Sequence, residues 1–276
     1  MRLSITIAWR HLTTLRRRSF STIAGTLAVA GLAIGLAALI ITYAVIDGFE
    51  RTLSEKISSF DGQIQITHFL DTPFTPNQAP IDSLLLPYRE TVDLIPFLQQ
   101  PLILRKGSRA EGGICLGLNT PNLPSALAAF VSPSQSALEP GTVILGDRLA
   151  DHLGARPGDP VVLMHVELEK GLAGASRYRK VTVSGVIHSG LLDYDQSIVY
   201  LALSDLQAVT GLDRKISGYL LYEKNRQQHE QIYGKLKTGL AYPLYPLSWK
   251  DKHRILYDWM TIQKWPILII FGLIAL

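Results

Sequence analysis

Seven histidines, one cysteine and 23 acidic residues are the raw material for chemistry in this chain. Their spacing assembles none of the common catalytic motifs. There is no GxSxG for a serine nucleophile, no HExxH for a zinc hydrolase, no CxxC, and no Walker A loop to cradle phosphates. No two histidines fall at metal-ligand spacing on one helix. Asp193-Tyr-Asp195 is the strongest local acid pair. No Asx/Gly ion-loop pattern surrounds it, so it reads as a solvated turn before a strand at 198. Cys115 is alone, which excludes an internal disulfide, and its apolar surroundings make it a small core residue. The chain is therefore expected to be non-enzymatic, with no catalytic residue, metal or cofactor. Any nucleotide-driven work must draw on an ATPase partner.

The elements that would position such residues are dominated by a membrane segment. Ser19 to Ile46 is 28 residues without a charge, directly preceded by Arg16-Arg17-Arg18. A helix of that length is about 42 Å long, more than the roughly 30 Å hydrocarbon slab. A cleavable signal peptide has an apolar core of about 7–15 residues, well short of this run. Phe49, Leu53, Ile57 and Phe60 continue the helical spacing, with Arg51 and Glu55 at i,i+4. One helix from about Phe20 to Phe60 is expected, crossing the membrane and continuing as a stalk. Five arginines precede the span and Asp47-Gly-Phe-Glu50 follows it, which places the N-terminus in the cytoplasm and the bulk of the chain outside. Residues 1–19 read as an amphipathic basic arm on the membrane lipid, with Trp9 at headgroup depth.

Ala24, Ala28, Gly31, Gly35, Ala38 and Thr42 recur at spacings of three and four along the span. Small residues allow a partner helix to approach closely, so this stripe is a candidate helix-packing face. A second apolar run, 265–276, is the beginning of another transmembrane helix, cut short at about 18 Å. Between the two runs lies an extracytoplasmic domain, 47–264. Five of the 27 basic residues lie in 1–46 and none of the acids does, so 22 Lys+Arg face 23 Asp+Glu in the domain. A near-neutral domain lacks the clustered cations of a nucleic-acid binder.

Within that domain, period-two alternation marks strands at 63–68, 180–184 and 198–203. Further strands are expected at 102–105, 113–118, 142–145, 160–166 and 216–222. Residues 146–154 read as a short helix closed by Gly154. Ser204-Asp-Leu-Gln207 has the capping-box pattern, and Gly211 closes that helix. An amphipathic helix is expected within 226–240, and 70–101, with six prolines, is expected to be irregular. The segment 167–180 exceeds a tight hairpin turn. It is either a protruding arm that docks a partner or a long passive hairpin. The fold class is membrane-anchored α+β: a long N-terminal transmembrane and stalk helix, a mixed α/β extracytoplasmic domain, and the start of a second transmembrane helix.

Arg10-His-Leu, Val45-Ile-Asp-Gly-Phe-Glu-Arg51 and Lys56-Ile-Ser-Ser-Phe-Asp-Gly-Gln-Ile-Gln-Ile66 resemble the opening of the lipoprotein-releasing (Lol-type) ABC permeases, within the broader MacB/FtsX-like permease family. Gly141–Gly154 with Pro157-Gly-Asp159, and Leu201–Gln207 with Gly211, resemble that family's periplasmic core domain. The resemblance implies a permease subunit of the bacterial inner membrane. It would pair with a second permease subunit and an ABC ATPase subunit, and pass a lipoprotein substrate to a periplasmic lipoprotein chaperone. It implies that Leu39, Ile40, Tyr43, Ile46 and Phe49 border the cavity for the lipid anchor. It also implies that the 167–180 arm, through Gly171, Leu172, Ala173, Arg177 and Tyr178, docks the chaperone. Family members carry four spans, so the chain resembles a shortened member. A membrane-anchored mechanotransmission module, acting on efflux or cell-wall partners, is the alternative within the same family.

Overall fold

The computed structural model of the chain describes residues 20–133, 137–165, 177–224 and 226–275. The basic arm, residues 1–19, and most of the 167–180 segment lie outside the described residues. The chain divides into two compact units, Met1–Ser54 with His253–Leu276, and Glu55–Lys252. The boundaries drawn from sequence at 47 and 264 therefore fall inside the first unit.

Helix α1 runs unbroken from Phe20 to Asp61, 42 residues or about 63 Å. Within the first unit its apolar side chains, among them Leu27, Ile34, Ile41 and Val45, are exposed on all sides. That is the pattern of a helix solvated by lipid rather than by a protein core. Among the described residues it is the one helix long and apolar enough to cross a bilayer. Arg51 pairs with Asp47 at 3.3 Å, one turn before it.

The second unit begins with the last two turns of α1 and strand β1 (Ile64–His68), then α2 (Ala79–Leu85), β2 (Val92–Lys106) and β3 (Arg109–Leu118). There follow α3 (Ser125–Ala128), β4 (Val131–Ser132), β5 (Thr142–Gly146), α4 (Asp147–Leu153), β6 (Pro160–His165) and β7 (Arg177–Ile187). It closes with α5 (Leu192–Ser197), β8 (Ile198–Ala202), α6 (Leu203–Thr210), β9 (Gly218–Glu223), α7 (His229–Gly239), β10 (Leu244–Ser248) and α8 (Trp249–Lys252). Helix α9 (Arg254–Ala275) belongs to the first unit, begins 11 residues before Trp265, and carries Pro266 in its interior.

The strands form one mixed sheet in the order β10-β1-β9-β2-β3-β8-β5-β7-β4. Strand β6 pairs with both β7 and β2, so β2, β3, β8, β5, β7 and β6 close into a ring. Closure removes free edges that would otherwise invite pairing with other chains. Alternate residues of the ring, such as Leu104, Cys115, Val143, Leu163, Val183 and Leu201, share one buried cluster with Leu149 and Leu153 of α4 and Leu206 of α6. Their neighbours in sequence, including Leu116, Ile144 and Tyr200, face a second cluster. Phe60 at the end of α1 and Leu127 of α3 complete that second layer.

Three expectations fail for identifiable reasons. Residues 92–101 are not irregular but the first two thirds of β2, prolines included. Pro96 sits where β2 has β9 as its one neighbour, and Pro101 where it has β3 alone. A missing N–H is tolerated where one side of the strand is unpaired. Ser204 is not an N-cap, because α6 starts at Leu203 with Ala202 in the cap position and no side-chain cap bond. Asp193 and Asp195 lie on α5 rather than in a solvated turn, and Asp195 is buried. Its neighbours supply the donors that an isolated buried carboxylate would lack.

Candidate functional site

Asp61, the last residue of α1, is 9% exposed and ties together three parts of the second unit. Tyr194 of α5 donates its hydroxyl to Asp61 Oδ2 at 2.7 Å. Lys252 of α8 donates to Oδ1 at 2.9 Å. Gln65 of β1 donates to the Asp61 carbonyl at 3.0 Å. One turn earlier, Lys56 Nζ donates to the Ser189 carbonyl at 3.0 Å. Phe60 packs against the rings of Tyr194 and Phe130, with centroids 5.0 and 5.4 Å away. Burial, and next the Asp61 charge, pushes the Tyr194 and Tyr222 hydroxyls well above the usual phenol range. Both stay neutral, so Tyr194 can donate. The end of α1 is thus clamped to the α5 segment and to Lys252, the last residue of α8.

The α5 segment is itself fixed by its acids. Asp195 accepts from Ser189 N at 2.7 Å, Ser189 Oγ at 2.6 Å and Gly190 N at 3.0 Å. His188 Nδ1 is bonded to Asp147 Oδ2, and that bond holds the His188 pKa above its ordinary value. Asp147, His188 and Asp195 come close enough to share an ion. Asp195 is committed to the Ser189–Gly190 loop and Asp147 Oδ2 to His188, while Asp147 Oδ1 is buried without a hydrogen-bond partner; the bonds made brace the clamp.

A second feature lies at the base of the arm. Register places Ile103 of β2 beside Met164 of β6, and Met164 beside Tyr178 of β7. Tyr178 is 77% exposed and Ile103 and Ile114 about 40%. Ile103, Ile114 and Met164, with Pro101 and Gly112, border a cleft of about 450 Å³ whose lining is mainly apolar. Alternation along β7 sends the intervening residues the other way. Arg179 pairs at 2.5 Å with Asp205, which is 1% exposed and also accepts from Gly141 N. The Arg177 guanidinium lies over Gly211, a left-handed C-cap where a Cβ would collide with it. The base of the arm is therefore anchored on one face and apolar on the other. Gly171, Leu172 and Ala173 lie outside the described residues; Arg177 and Tyr178 sit where the strand resumes.

On α1, Ala24, Ala28, Gly31 and Ala38 are exposed and Gly35 and Thr42 half-buried. Helical spacing gathers the six into an arc of about 80°. Among the described residues, nothing beyond the helix's own backbone approaches within 4 Å of where a Cβ on Gly31 would stand. Ile40, Tyr43 and Phe49 are exposed and Leu39 and Ile46 half-buried along the same helix.

Sequence reasoning missed the Asp61 clamp and the apolar row. Residues 61 and 252 are 191 positions apart, and no local pattern joins them. For the row, alternation within 102–105 and 160–166 marked strands, and their shared outer face needed only the pairing of β2 with β6.

Residues 26–243 match the family model of the MacB-like periplasmic core domain. The chain is similar to the lipoprotein-releasing system transmembrane protein LolC of two Xylella fastidiosa strains. One is 23% identical over 279 residues and the other 24% over 278, each alignment covering 99% of this chain and 66% of the relative. The LolC of Neisseria meningitidis serogroup B is 23% identical, covering 97% of this chain and 66% of the relative. The chain thus spans just under two thirds of the length of these relatives. Among solved structures, the periplasmic region of MacB from Actinobacillus actinomycetemcomitans aligns at a TM-score of 0.42 and 13% identity, over 71% of this chain and 93% of that one. The extracellular domain of the transporter YknZ from Gram-positive bacteria aligns at 0.41 and 12%, over 67% and 99%. With the family model covering the second unit as far as residue 243, short only of β10 and α8, the chain belongs to the MacB-like periplasmic core domain family.

Proposed function

We propose that this chain is a permease-type subunit of an ABC transporter that releases lipoproteins from the bacterial inner membrane, driven by a separate ATPase subunit. The observation that carries the reading is the match, over 97–99% of the chain, to relatives that are lipoprotein-releasing transmembrane proteins. The geometry supports it. A long apolar helix ends in a charged clamp inside the folded domain, and a near-neutral domain presents an apolar row on β2, β6 and β7.

In this reading the N-terminus is cytoplasmic and the second unit periplasmic. The small face of α1 packs on a helix of the second permease subunit. Leu39, Ile40, Tyr43, Ile46 and Phe49 border the space taken by the lipid anchor. The arm, with Gly171, Leu172, Ala173, Arg177 and Tyr178, receives the periplasmic chaperone, and the Ile103–Met164–Tyr178 row extends that surface. The chain itself makes and breaks no covalent bond.

The test is affinity purification from membranes, followed by release of a radiolabelled lipoprotein from reconstituted vesicles. Recovery of an ATPase subunit and ATP-dependent release are expected. Deleting 170–177 should abolish chaperone capture and leave membrane insertion intact. Release that persists at full rate without this chain would overturn the reading.

A further inference from the structure

Strands β5 and β7 run parallel, and their register sets Gly146 beside Ile187 at the carboxyl ends. The next residues on the two strands, Asp147 and His188, therefore emerge side by side. Helix α5 brings Asp195 to the same point. A Cβ at residue 146 would collide with the Asp195 carbonyl, so the glycine is what lets α5 come this near. Among the described residues these three form the one grouping of His, Cys, Asp or Glu side chains close enough to share an ion. One ligand atom from each lies within 4.8 Å of the others.

The Asp147 carboxylate is only half used. Its Oδ2 is bonded to His188 Nδ1, whereas Oδ1 is sealed from solvent and has no hydrogen-bond partner. A buried carboxylate oxygen left unpaired is costly, and a cation beside it removes the cost. Asp195 is fixed by its loop: Ser189 N and Oγ donate to Oδ1, and Gly190 N donates to Oδ2. A carboxylate oxygen accepts two bonds, so Oδ2 is held in place with one lone pair to spare among the described residues. The His188 side chain is 72% exposed, so its ring can turn and water can reach the group. Two ligand atoms on one tetrahedral zinc lie roughly 3.3 Å apart. Closing from 4.8 Å needs a shift of about 1.5 Å at most, within reach of the exposed His188 ring and the partly exposed Asp147.

We propose that Asp147, His188 and Asp195 are a binding site for a divalent transition ion of zinc-like chemistry, with water in the remaining position. One imidazole nitrogen with two carboxylates suits zinc, whereas calcium and magnesium take six or more oxygens. Two carboxylates also balance the charge of a divalent ion. The ion joins the ends of β5 and β7 to α5. Its effect reaches Tyr194, the residue before Asp195, whose hydroxyl holds Asp61 at the end of α1. Metal loading therefore sets how firmly α5 grips α1.

Zinc chloride titrated into the full chain in detergent, in competition with a chromophoric chelator, tests the site. Saturable binding is expected. Asp147→Asn and His188→Gln should each weaken it at least about tenfold, the scale on which metal sites respond to loss of a ligand or its support. Near-ultraviolet circular dichroism of each metal-free variant checks that the fold is kept. At about a hundred times the dissociation constant, zinc should raise the thermal midpoint by roughly 5–10 °C, and magnesium or calcium at the same concentration should not. Cobalt(II) in place of zinc should give visible ligand-field absorption that His188→Gln abolishes, a signal that a purely structural ion pair does not produce. No saturable zinc binding, or binding of equal strength in both folded variants, overturns the proposal. An equal rise in midpoint with magnesium or calcium overturns the zinc-like class. Cobalt absorption unchanged in His188→Gln places the ion elsewhere and overturns the assignment.

Discussion

Replacing Asp61 with alanine removes the carboxylate that accepts from Tyr194 and Lys252. The Tyr194 bond is a 2.7 Å hydrogen bond to a charged acceptor, a class worth about 1.5–3 kcal/mol. The Lys252 side chain is 29% exposed, so its ammonium can rehydrate and its share is about 1 kcal/mol. Together the change should cost about 3 kcal/mol. For a unit the size of Glu55–Lys252 that corresponds to a fall of roughly 6–12 °C in the unfolding midpoint. Asp61→Asn keeps an acceptor for Tyr194 and should cost about half as much. The assay is thermal unfolding of the full chain in detergent, followed by near-ultraviolet circular dichroism. A cycle with Tyr194→Phe separates the clamp from general damage, since the two groups share one bond and their effects should fall short of additive by at least 1 kcal/mol. Additive effects, or a cost for Asp61→Ala below about 0.5 kcal/mol, would refute the reasoning and return Asp61 to being an ordinary helix end.

Three further outcomes follow from the geometry. Gly218→Ala places a Cβ against the Ile66 carbonyl oxygen and the Phe97 ring, so it should destabilise the chain by about 1–3 kcal/mol in urea unfolding; a neutral result would mean β1 and β9 can separate at no cost. His188 has its pKa raised by its bond to Asp147. The folded-state pKa thus exceeds the unfolded one, and the stabilisation is full below about pH 6.5 and lost as pH rises through the folded value. The thermal midpoint should drop from pH 6.5 upward, and the drop should be smaller in His188→Gln; equal drops would exclude the pair as its source. Cys115 is fully buried and its thiol pKa is pushed far up by burial, so maleimide should label it only in denaturant. Labelling of the native chain would show that the ring opens.

Much of the fold is legible in local patterns. The uncharged run from Ser19 to Ile46 marks the one helix, among the described residues, long and apolar enough to cross a bilayer, and alternation marks β1, β7 and β8. Gly154 and Gly211 mark the ends of α4 and α6, where the backbone turns left-handed. What escapes local reading depends on distant partners. Pro96 and Pro101 argue for a loop until the unpaired sides of β2 are known. Asp195 looks solvated until Ser189 and Gly190 fold back over it. Closure of the ring through β2 and β6, and the meeting of Asp61 with Lys252, join residues about 60 and 191 positions apart. Such contacts are set by topology, which periodicity does not encode.

The central claim is that Glu55–Lys252 faces the cell envelope, anchored by α1. It is tested most directly by the side from which a surface residue can be labelled. With Cys115→Ala as background and Glu90→Cys as the reporter, a membrane-impermeant maleimide is applied to intact spheroplasts and to permeabilised ones. Equal labelling in both is the result expected of an exported domain. Labelling only after permeabilisation would place the domain in the cytoplasm and contradict the assignment.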